Sequence, residues 1–313
     1  SIPGGWGAAA TSLFSNSFFK ILPDFNAIIQ LKKSESIRFN YSMRTQFTDV
    51  SKIAQGLVLN NYNSIFSGDN EIQNAISHSF NLNYFSFNLF NYTNIFARIS
   101  YNKSIDQIRN LTTFESVVAS SSPFNSPFAD ENFSANTRFQ RQFGKIRASL
   151  SSRINFSKFN QYISDINNPS SSENFSQTYG ATVRTSFKEA PNVELGYNYS
   201  LSNNTLGSVE SKFYTKAPFI DVDALILKSF TFRSRYTNNS FSNDRAVLNE
   251  YEFWDASLAY KKDQDSKWEF ELKATNLLNT KSQNQSNTGN ISISSTEYFI
   301  QPRFITFRLV YDL

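Results

Sequence analysis

Apolar and polar residues alternate along most of this chain, as they do in strands that have one apolar and one polar face. The clearest example is residues 267–275, in which every second residue is apolar. These apolar residues are Trp268, Phe270, Leu272 and Ala274, and the residues between them are charged or threonine. No segment repeats in the same way at the 3.6-residue period of a helix. We therefore predict an all-β chain.

The alternation predicts about thirteen strands, which are long compared with most strands of soluble proteins. Their predicted ranges are 25–31, 35–46, 78–87, 92–103, 131–142, 145–157, 174–187, 192–203, 211–221, 228–238, 250–261, 267–277 and 298–313. A barrel with an odd number of strands could close only by pairing its first and last strands in parallel, whereas bacterial single-chain barrels have even numbers of strands. We expect either further strands upstream or a barrel of about twelve strands with the first segment as a cover.

The predicted connections alternate between short turns and long polar stretches. The long stretches are 49–77, 104–130, 161–173, 239–248 and 279–296. Outer-membrane barrels have short periplasmic turns and long extracellular loops. The sequence thus predicts a transmembrane antiparallel up-and-down β-barrel over residues 25–313, with these stretches as extracellular loops. Residues 1–24 are predicted to be an outer loop or a preceding segment.

The composition fits strands better than helices as membrane spans. Aromatic residues make up 16% of the chain, yet the mean hydropathy is −0.41, so apolar rings are spread through a polar background. A helical span needs roughly 20 consecutive apolar residues, and no stretch approaches this length. A barrel strand needs only about 9 to 11 residues, of which every second one is apolar.

Little in the sequence points to reaction chemistry. Cysteine is absent and His78 is the single histidine, so thiolate metal sites and most catalytic constellations are excluded. Four aspartates near predicted turns lack the spacing of a calcium loop, and we interpret them as turn residues: Asp221, Asp223, Asp263 and Asp265. The net charge of +4 is dispersed, which argues against nucleic-acid binding. We expect no enzyme activity, no metal and no cofactor.

In a barrel, the charged face of each strand would line a water-filled lumen, and aromatic residues at strand ends would form two girdles. The predicted lumen-facing residues are Arg38, Arg147, Arg153, Arg233, Arg235, Glu269 and Glu271. The predicted girdle residues are Tyr101, Tyr236 and Trp254 toward the long loops, and Tyr260, Trp268 and Tyr311 beside the short turns. Aromatic residues of the long loops, such as Tyr62, Phe66, Phe114, Phe124 and Phe128, are candidates for ligand contacts or for packing over the mouth.

Two stretches resemble a known family. Residues 274–278 read Ala-Thr-Asn-Leu-Leu, and Tyr298 is followed, after three intervening residues, by Pro302-Arg303 and an alternating final strand. This end resembles that of TonB-dependent outer-membrane receptors. Residues 21–25 and 32–42 are similar to TonB-receptor-like barrels of Bacteroidetes. The resemblance implies an assembly signal at Phe307, Leu309, Tyr311 and Leu313, although the family usually ends in an aromatic residue.

The resemblance also implies a function. Family members close a 22-stranded barrel around an N-terminal plug and import a ligand with energy from the inner membrane, so this chain would supply roughly the last thirteen strands. The implied location is the bacterial outer membrane. The implied partners are the lipid bilayer, the barrel-insertion machinery, and a plug domain, TonB or a surface lipoprotein. The alternatives are a plugless barrel that acts as a scaffold or subunit of a larger outer-membrane complex, and a soluble secreted glycan-binding β-protein.

Overall fold

The computed structural model describes residues 20–162, 169–188, 191–263, 265–288 and 293–311. It contains one four-residue helix, α1 (Val50–Ile53), and is otherwise built from strands. In chain order the strands are β1 (Asp24–Lys32), β2 (Glu35–Gln46), β3 (Leu57–Asn61), β4 (Ser64–Ser67), β5 (Ala75–Asn88), β6 (Thr93–Ile105), β7 (Ile108–Glu115), β8 (Val118–Asn125), β9 (Asp130–Phe143), β10 (Ile146–Gln161), β11 (Ser170–Thr185), β12 (Asn192–Leu206), β13 (Val209–Ile226), β14 (Phe230–Asn243), β15 (Val247–Lys261), β16 (Trp268–Thr275), β17 (Ser282–Thr288), β18 (Ile293–Phe299) and β19 (Phe304–Tyr311). The all-β prediction is confirmed.

Thirteen of these strands form one up-and-down sheet, the main sheet, in which every neighbouring pair is antiparallel. Its order is β1-β2-β5-β6-β9-β10-β11-β12-β13-β14-β15-β16-β19. Each of the thirteen overlaps a strand range predicted from the alternation. Among the described strands, β1 pairs only with β2 and β19 only with β16, so the main sheet as described has two free edges. The two edge strands run in the same direction.

Connections differ between the two ends of the main sheet, but less regularly than predicted. At one end, the short-turn end, tight turns such as Gly144–Lys145 join the strands; Gly144 has a φ of 60°, as a hairpin turn of this length requires. At the opposite end, the predicted loop 239–248 is mostly strand, because β14 and β15 continue to a turn at 244–246. Likewise β10 and β11 extend into the predicted loop 161–173. In these extensions backbone pairing continues although the two-residue alternation is lost: residues 170–173 at the start of β11 are all polar, and Val247 and Leu248 at the start of β15 are adjacent apolar residues.

Two long connections fold into a second sheet. Strands β3 and β4 come from the connection between β2 and β5, and β7 and β8 from the connection between β6 and β9. We call these four strands, ordered β3-β4-β8-β7, the cap. Its two halves join through a short parallel pairing of Ser64–Phe66 in β4 with Ala119–Ser121 in β8. A separate hairpin, β17–β18, occupies part of the predicted loop 279–296. These strands were not predicted, except that the predicted final strand, 298–313, began at the last two residues of β18 and did not anticipate the break before β19.

Buried apolar side chains are scarce and lie mainly where the cap meets the main sheet. In the described residues, the buried apolar ones are Ile72, Ala75, Pro123, Tyr162 and Ala224. Tyr162 packs edge-on against Phe124, with ring centroids 4.7 Å apart, and its hydroxyl lies 2.8 Å from that of Ser126. The thirteen-stranded sheet therefore has no apolar core of its own comparable to that of a soluble sandwich.

The register of the main sheet separates two faces. Side chains that are directly paired across antiparallel strands lie on the same face. One face, the apolar face, carries Phe39 opposite Leu82, which in turn lies opposite Ile99. The other, the polar face, carries Arg38 opposite Asn83. Large side chains on the apolar face are open to solvent: Leu150 is 56% exposed and Leu195 52%.

A buried asparagine organises the chain after β16. Asn276 is 5% exposed and has a φ of 51°, which asparagine tolerates better than most residues. Its amide Nδ2 donates to the carbonyls of Thr280, at 2.8 Å, and of Gln301, at 3.0 Å, while its Oδ1 accepts the N–H of Thr280. Asn276 thus ties the end of β16 to the start of the closing segment. This gives a physical reason for the asparagine in the Ala-Thr-Asn-Leu-Leu stretch.

We expect Asn276→Ala to destabilise the protein by about 2 to 4 kcal/mol, because it removes the three hydrogen bonds that the buried amide makes to Thr280 and Gln301. Asn279→Ala is the matched control, since Asn279 also has a positive φ, of 55°, but its side chain is exposed and makes a single hydrogen bond among the described residues, from the N–H of Arg303 at 3.1 Å. The free energy of unfolding would be measured by denaturant titration. Equal losses for the two variants would show that the cost comes from backbone conformation and not from the buried amide.

Candidate functional site: the two faces of the main sheet

All seven residues predicted to face a lumen lie on the polar face. Arg38 reaches this face on β2, Arg147 and Arg153 on β10, and Arg233 and Arg235 on β14. Glu269 and Glu271 reach it on β16 through their pairing with Lys261 and Ala259. The two-residue alternation of the sequence therefore predicted correctly that these side chains share one surface. That this surface lines a lumen stays a prediction.

The six predicted girdle residues all lie on the apolar face, in two groups. At the short-turn end, the Trp268 and Tyr311 rings pack with centroids 4.6 Å apart, and Tyr260 contacts Phe230 at 4.8 Å. Toward the other end, Tyr236 pairs with Trp254, whose Nε1 donates to Ser234 at 2.9 Å, and Tyr101 pairs with Phe80. Along β15, Trp254 and Tyr260 are separated by six residues, which corresponds to roughly 20 Å.

Charged side chains bound the apolar face at the end opposite the short turns. Lys103, Glu131, Lys158 and Glu173 follow one another across β6, β9, β10 and β11. Lys158 and Glu173 form an ion pair at 2.6 Å, and Lys103 and Glu131 one at 3.8 Å. The apolar surface is therefore a band of limited height, which we call the apolar band, and not an apolar face over the full length of the strands.

The predicted assembly signal lies on the final strand. Phe307, Leu309 and Tyr311 are all on the apolar face of β19 and are exposed, while Leu313 lies outside the described residues. Their pairing partners on β16 are Leu272, Phe270 and Trp268. The last two strands thus present a continuous apolar and aromatic surface beside a free edge of the described sheet.

Ion pairs cross the polar face from β11 to β14. The guanidinium of Arg184 lies 3.3 Å from Glu194 and 2.9 Å from Asp223. Asp223 also faces Arg233, at 3.8 Å, and Asp221 faces Arg235, at 3.5 Å. Since Arg184 is directly paired with Arg147, these carboxylates offset a repulsion between two opposed arginines.

The same pattern continues to the last strand. Asp255 is paired with Arg235 and accepts the backbone N–H of Asn276 at 2.7 Å. Glu271 binds Arg308 at 2.9 Å. Side chains of this network surround a cavity of about 340 Å³, whose lining includes Arg184, Asp221, Asp223, Arg233, Arg235, Asp255, Glu271 and Lys273.

The interpretation of Asp221 and Asp223 as turn residues is wrong. β13 continues to Ile226, so both aspartates lie within a strand and point to the polar face. Ile220, Val222 and Ala224 alternate with these acids, and this alternation indicates a continuing strand. The predicted strand nevertheless ended at 221. Arg98, Arg184 and Arg308 were also missed, although each sits at a polar position of an alternating strand.

The two halves of the polar face differ in charge. On β11 to β16 and β19, six basic residues accompany six acidic ones: Arg184, Arg233, Arg235, Lys261, Lys273 and Arg308 with Glu194, Asp221, Asp223, Asp255, Glu269 and Glu271. On the described strands β1 to β10 of the main sheet, six arginines accompany two aspartates: Arg38, Arg44, Arg98, Arg138, Arg147 and Arg153 with Asp24 and Asp130. Asp130 forms an ion pair with Arg109 of the cap.

The remaining candidates from the sequence have structural roles or no partners. His78 Nδ1 lies 2.9 Å from the Tyr41 hydroxyl on the apolar face. In the described part of the chain, no group of three or more metal-ligating side chains is found. Among the cap aromatics, Phe124 packs on Tyr162, whereas Tyr62 is 92% exposed. Beside the cap, Asp49 accepts the N–H of Ser51 at the start of α1, which lowers the pKa of the Asp49 carboxyl.

Neither the protein-family models nor the curated proteins contain a match to this chain. Of the described residues, none forms a helix long and apolar enough to cross a bilayer.

We expect Asp223→Asn to lower the free energy of unfolding by about 0.5 to 1 kcal/mol at low ionic strength, because Arg184 and Arg233 lose a shared carboxylate. The loss should shrink at about 1 M salt, where the screening length is only about 3 Å. Denaturant titrations at both ionic strengths measure it. Asp263→Asn, in an exposed turn, is the control and should have no effect; a salt-independent loss in Asp223→Asn would contradict the electrostatic explanation.

Proposed function

We propose that this chain forms part of the wall of an outer-membrane β-barrel and acts as a TonB-dependent receptor or transporter. In this proposal the apolar face contacts lipid, the polar face lines a water-filled lumen, and the cap lies at the extracellular mouth. The ligand enters through the lumen, and no reaction is catalysed.

The observation that carries the proposal is the exposed apolar band. Soluble monomers rarely expose contiguous apolar patches larger than a few hundred Å². Here exposed Leu, Ile, Phe, Tyr and Trp side chains follow one face of the main sheet from β2 to β19, for example Leu82, Leu150, Leu195, Leu272 and Phe307. Lipid chains would cover such a surface without any partner protein. A soluble glycan-binding protein would leave it in water.

The dimensions of the apolar band agree with a bilayer. From Trp254 to Tyr260, or from Val193 to Leu201, the band covers six to eight residues, roughly 20 to 27 Å along the strand. Transmembrane barrels have an apolar band about 25 Å tall with aromatic girdles at both borders. The row of Lys103, Glu131, Lys158 and Glu173 would then lie at the level of the headgroups or above.

The polar face supports a lumen. Ion pairs such as Arg308–Glu271 keep large exposed fractions: the Arg308 side chain is 62% exposed and that of Arg233 is 70% exposed. Charged groups in lipid would be costly, whereas a wet interior accommodates them. The longest connections, including the two that build the cap, all leave the end of the sheet opposite the short turns, as the extracellular loops of barrels do.

The TonB-dependent assignment rests on the resemblance of residues 274–278 and 298–313 to the family. Asn276 adds a structural reason for that motif, because its amide joins the end of β16 to the segment before β19. In the proposal, an additional plug and a contact with TonB would couple uptake to the energised inner membrane.

A second candidate function is that of a subunit or scaffold in a larger outer-membrane complex. The cap favours it at one place: Leu57, Val58 and Leu59 of β3 are all exposed, and among the described strands β3 has only β4 as a neighbour. Exposed apolar edge strands are pairing sites for other chains. A scaffold of this kind would not need to transport a ligand.

We expect Leu272→Arg to block insertion, at a cost of roughly 2 to 4 kcal/mol near the bilayer midplane, because it places a charge in the apolar band. Glu271→Ala, one residue away on the polar face, should insert normally and lose only its ion pair with Arg308. Heat-modifiable migration and resistance to carbonate extraction report insertion. Equal behaviour of the two variants would refute the assigned faces, and a wild-type chain that is monodisperse in plain buffer would refute the membrane location.

Cells that produce the full protein should take up at least one ligand class that cells lacking it do not, and a protonophore should abolish this uptake. The panel would contain carbohydrates, peptides and metal chelates, each radiolabelled. Energy-dependent uptake supports the receptor. Uptake that is unchanged by loss of the protein, together with stable co-purification of other outer-membrane proteins, would favour the scaffold instead.

A further inference from the structure

Five neighbouring strands carry arginine and asparagine in alternation along one row of the polar face. Register pairs Arg38 of β2 with Asn83 of β5, Asn83 with Arg98 of β6, Arg98 with Asn136 of β9, and Asn136 with Arg153 of β10. We call this row the arginine–asparagine ladder. Strand spacing of about 4.8 Å puts consecutive arginine Cα atoms roughly 10 Å apart.

The arginines of the ladder are not neutralised by the protein. All three are exposed, and no carboxylate of the described residues lies within ion-pair distance of Arg38, Arg98 or Arg153. Their contacts are to amides: Arg153 Nε donates to Asn136 Oδ1 at 2.9 Å, and Arg98 Nη2 to Asn81 Oδ1 at 3.5 Å. In the other half of the same face, by contrast, arginines have carboxylate partners. The ladder is therefore a positive row without carboxylate partners, in a face whose other half, from β11 onward, balances its charges.

The rows on either side of the ladder differ in chemistry. Toward the cap, a row of short amides and hydroxyls crosses the same strands: Asn40, Asn81, Ser100, Ser134 and Asn155. Toward the short turns, Phe85 is paired with Phe96, and these rings are 46% and 40% exposed although they lie on the polar face. A surface that only faced water would not be expected to expose two aromatic rings beside arginines and amides.

These rows border an open cavity of about 630 Å³ at the β2–β5–β6 end of the ladder. Its lining includes Arg38, Asn40, Asn81, Phe85, Phe96 and Arg98. It thus combines guanidinium groups that can bind carboxylates bidentately, amides that can bind hydroxyls, and two ring faces that can stack on a flat apolar surface.

We infer that the arginine–asparagine ladder binds an acidic oligosaccharide lying across the strands. Carboxylates of the sugar bind the arginines, its hydroxyls bind the asparagine and serine side chains of the adjacent row, and a sugar ring stacks on Phe85 and Phe96 in the cavity. The repeated arginines favour a ligand with several carboxylates over a single anion. This inference gives the proposed function a ligand class and rests on it for its biological setting, whereas binding itself can be measured without transport.

The test is calorimetric titration of the purified protein in neutral detergent with tetragalacturonate, with maltotetraose as the uncharged probe and inorganic phosphate as the free anion. We expect binding of tetragalacturonate alone. Arg98→Gln, at the centre of the ladder, should weaken binding about tenfold, as expected for loss of a charge-assisted hydrogen bond. Phe85→Ser should also weaken it, and Arg98→Lys should restore only part of the affinity.

Arg44→Gln is the matched control, because Arg44 lies on the same face and the same strand as Arg38 but outside the ladder. It should retain wild-type affinity. Heat-modifiable migration would confirm that each variant is folded. Equal weakening by Arg44→Gln and Arg98→Gln, competition by inorganic phosphate at equal concentration, or equal binding of maltotetraose would each overturn the inference.

The binding result and the uptake result separate the two proposals. Tetragalacturonate binding that depends on Arg98, without energy-dependent uptake of any ligand, would reject the receptor and keep the ladder site. Energy-dependent uptake of a neutral ligand, without tetragalacturonate binding, would keep the receptor and reject the ladder site.

Discussion

Register across the antiparallel pairs of the main sheet is the constraint on which the other features depend. Because side chains alternate between faces, a slip of one residue would move an entire strand's apolar set to the opposite face. The apolar band, the ion pairs around Asp223 and the arginine–asparagine ladder exist only in the observed register. Backbone pairing therefore also determines that Arg98 lies on the polar face and Ile99 on the apolar face.

The two halves of the polar face handle charge in different ways. From β11 onward, each arginine discussed above has a carboxylate within 4 Å, so that half of the face is electrostatically balanced by its own residues. From β2 to β10, amides take the place of carboxylates beside Arg98 and Arg153. Amides can orient a guanidinium but leave its charge in place. The half from β2 to β10 is consequently suited to bind an external anion. The half from β11 onward uses its charged groups in ion pairs within the protein.

Period 2 was sufficient to predict the strands of the main sheet and the face on which each predicted charged or aromatic residue lies. It failed where apolar and polar residues stop alternating, as at the adjoining ends of β14 and β15, and where a strand continues through a segment interpreted as a turn, as at Asp223. The cap was not predictable from alternation, since its β4–β8 pairing joins residues far apart in the chain. The ladder could not be found either, because a row across five strands requires their mutual register.

The cap joins two connections that flank a single hairpin. One leaves β2 and enters β5, the other leaves β6 and enters β9, and the β4–β8 pairing links them above the hairpin β5–β6. That hairpin is thereby tied to its neighbours twice, by its own strand pairing and by a bridge across its open end. The bridge joins residues 64–66 to residues 119–121, so it closes a long loop whose entropic cost is smaller once β2 to β9 are paired beneath it. The cap is therefore a second connection across the part of the main sheet that carries the arginine–asparagine ladder.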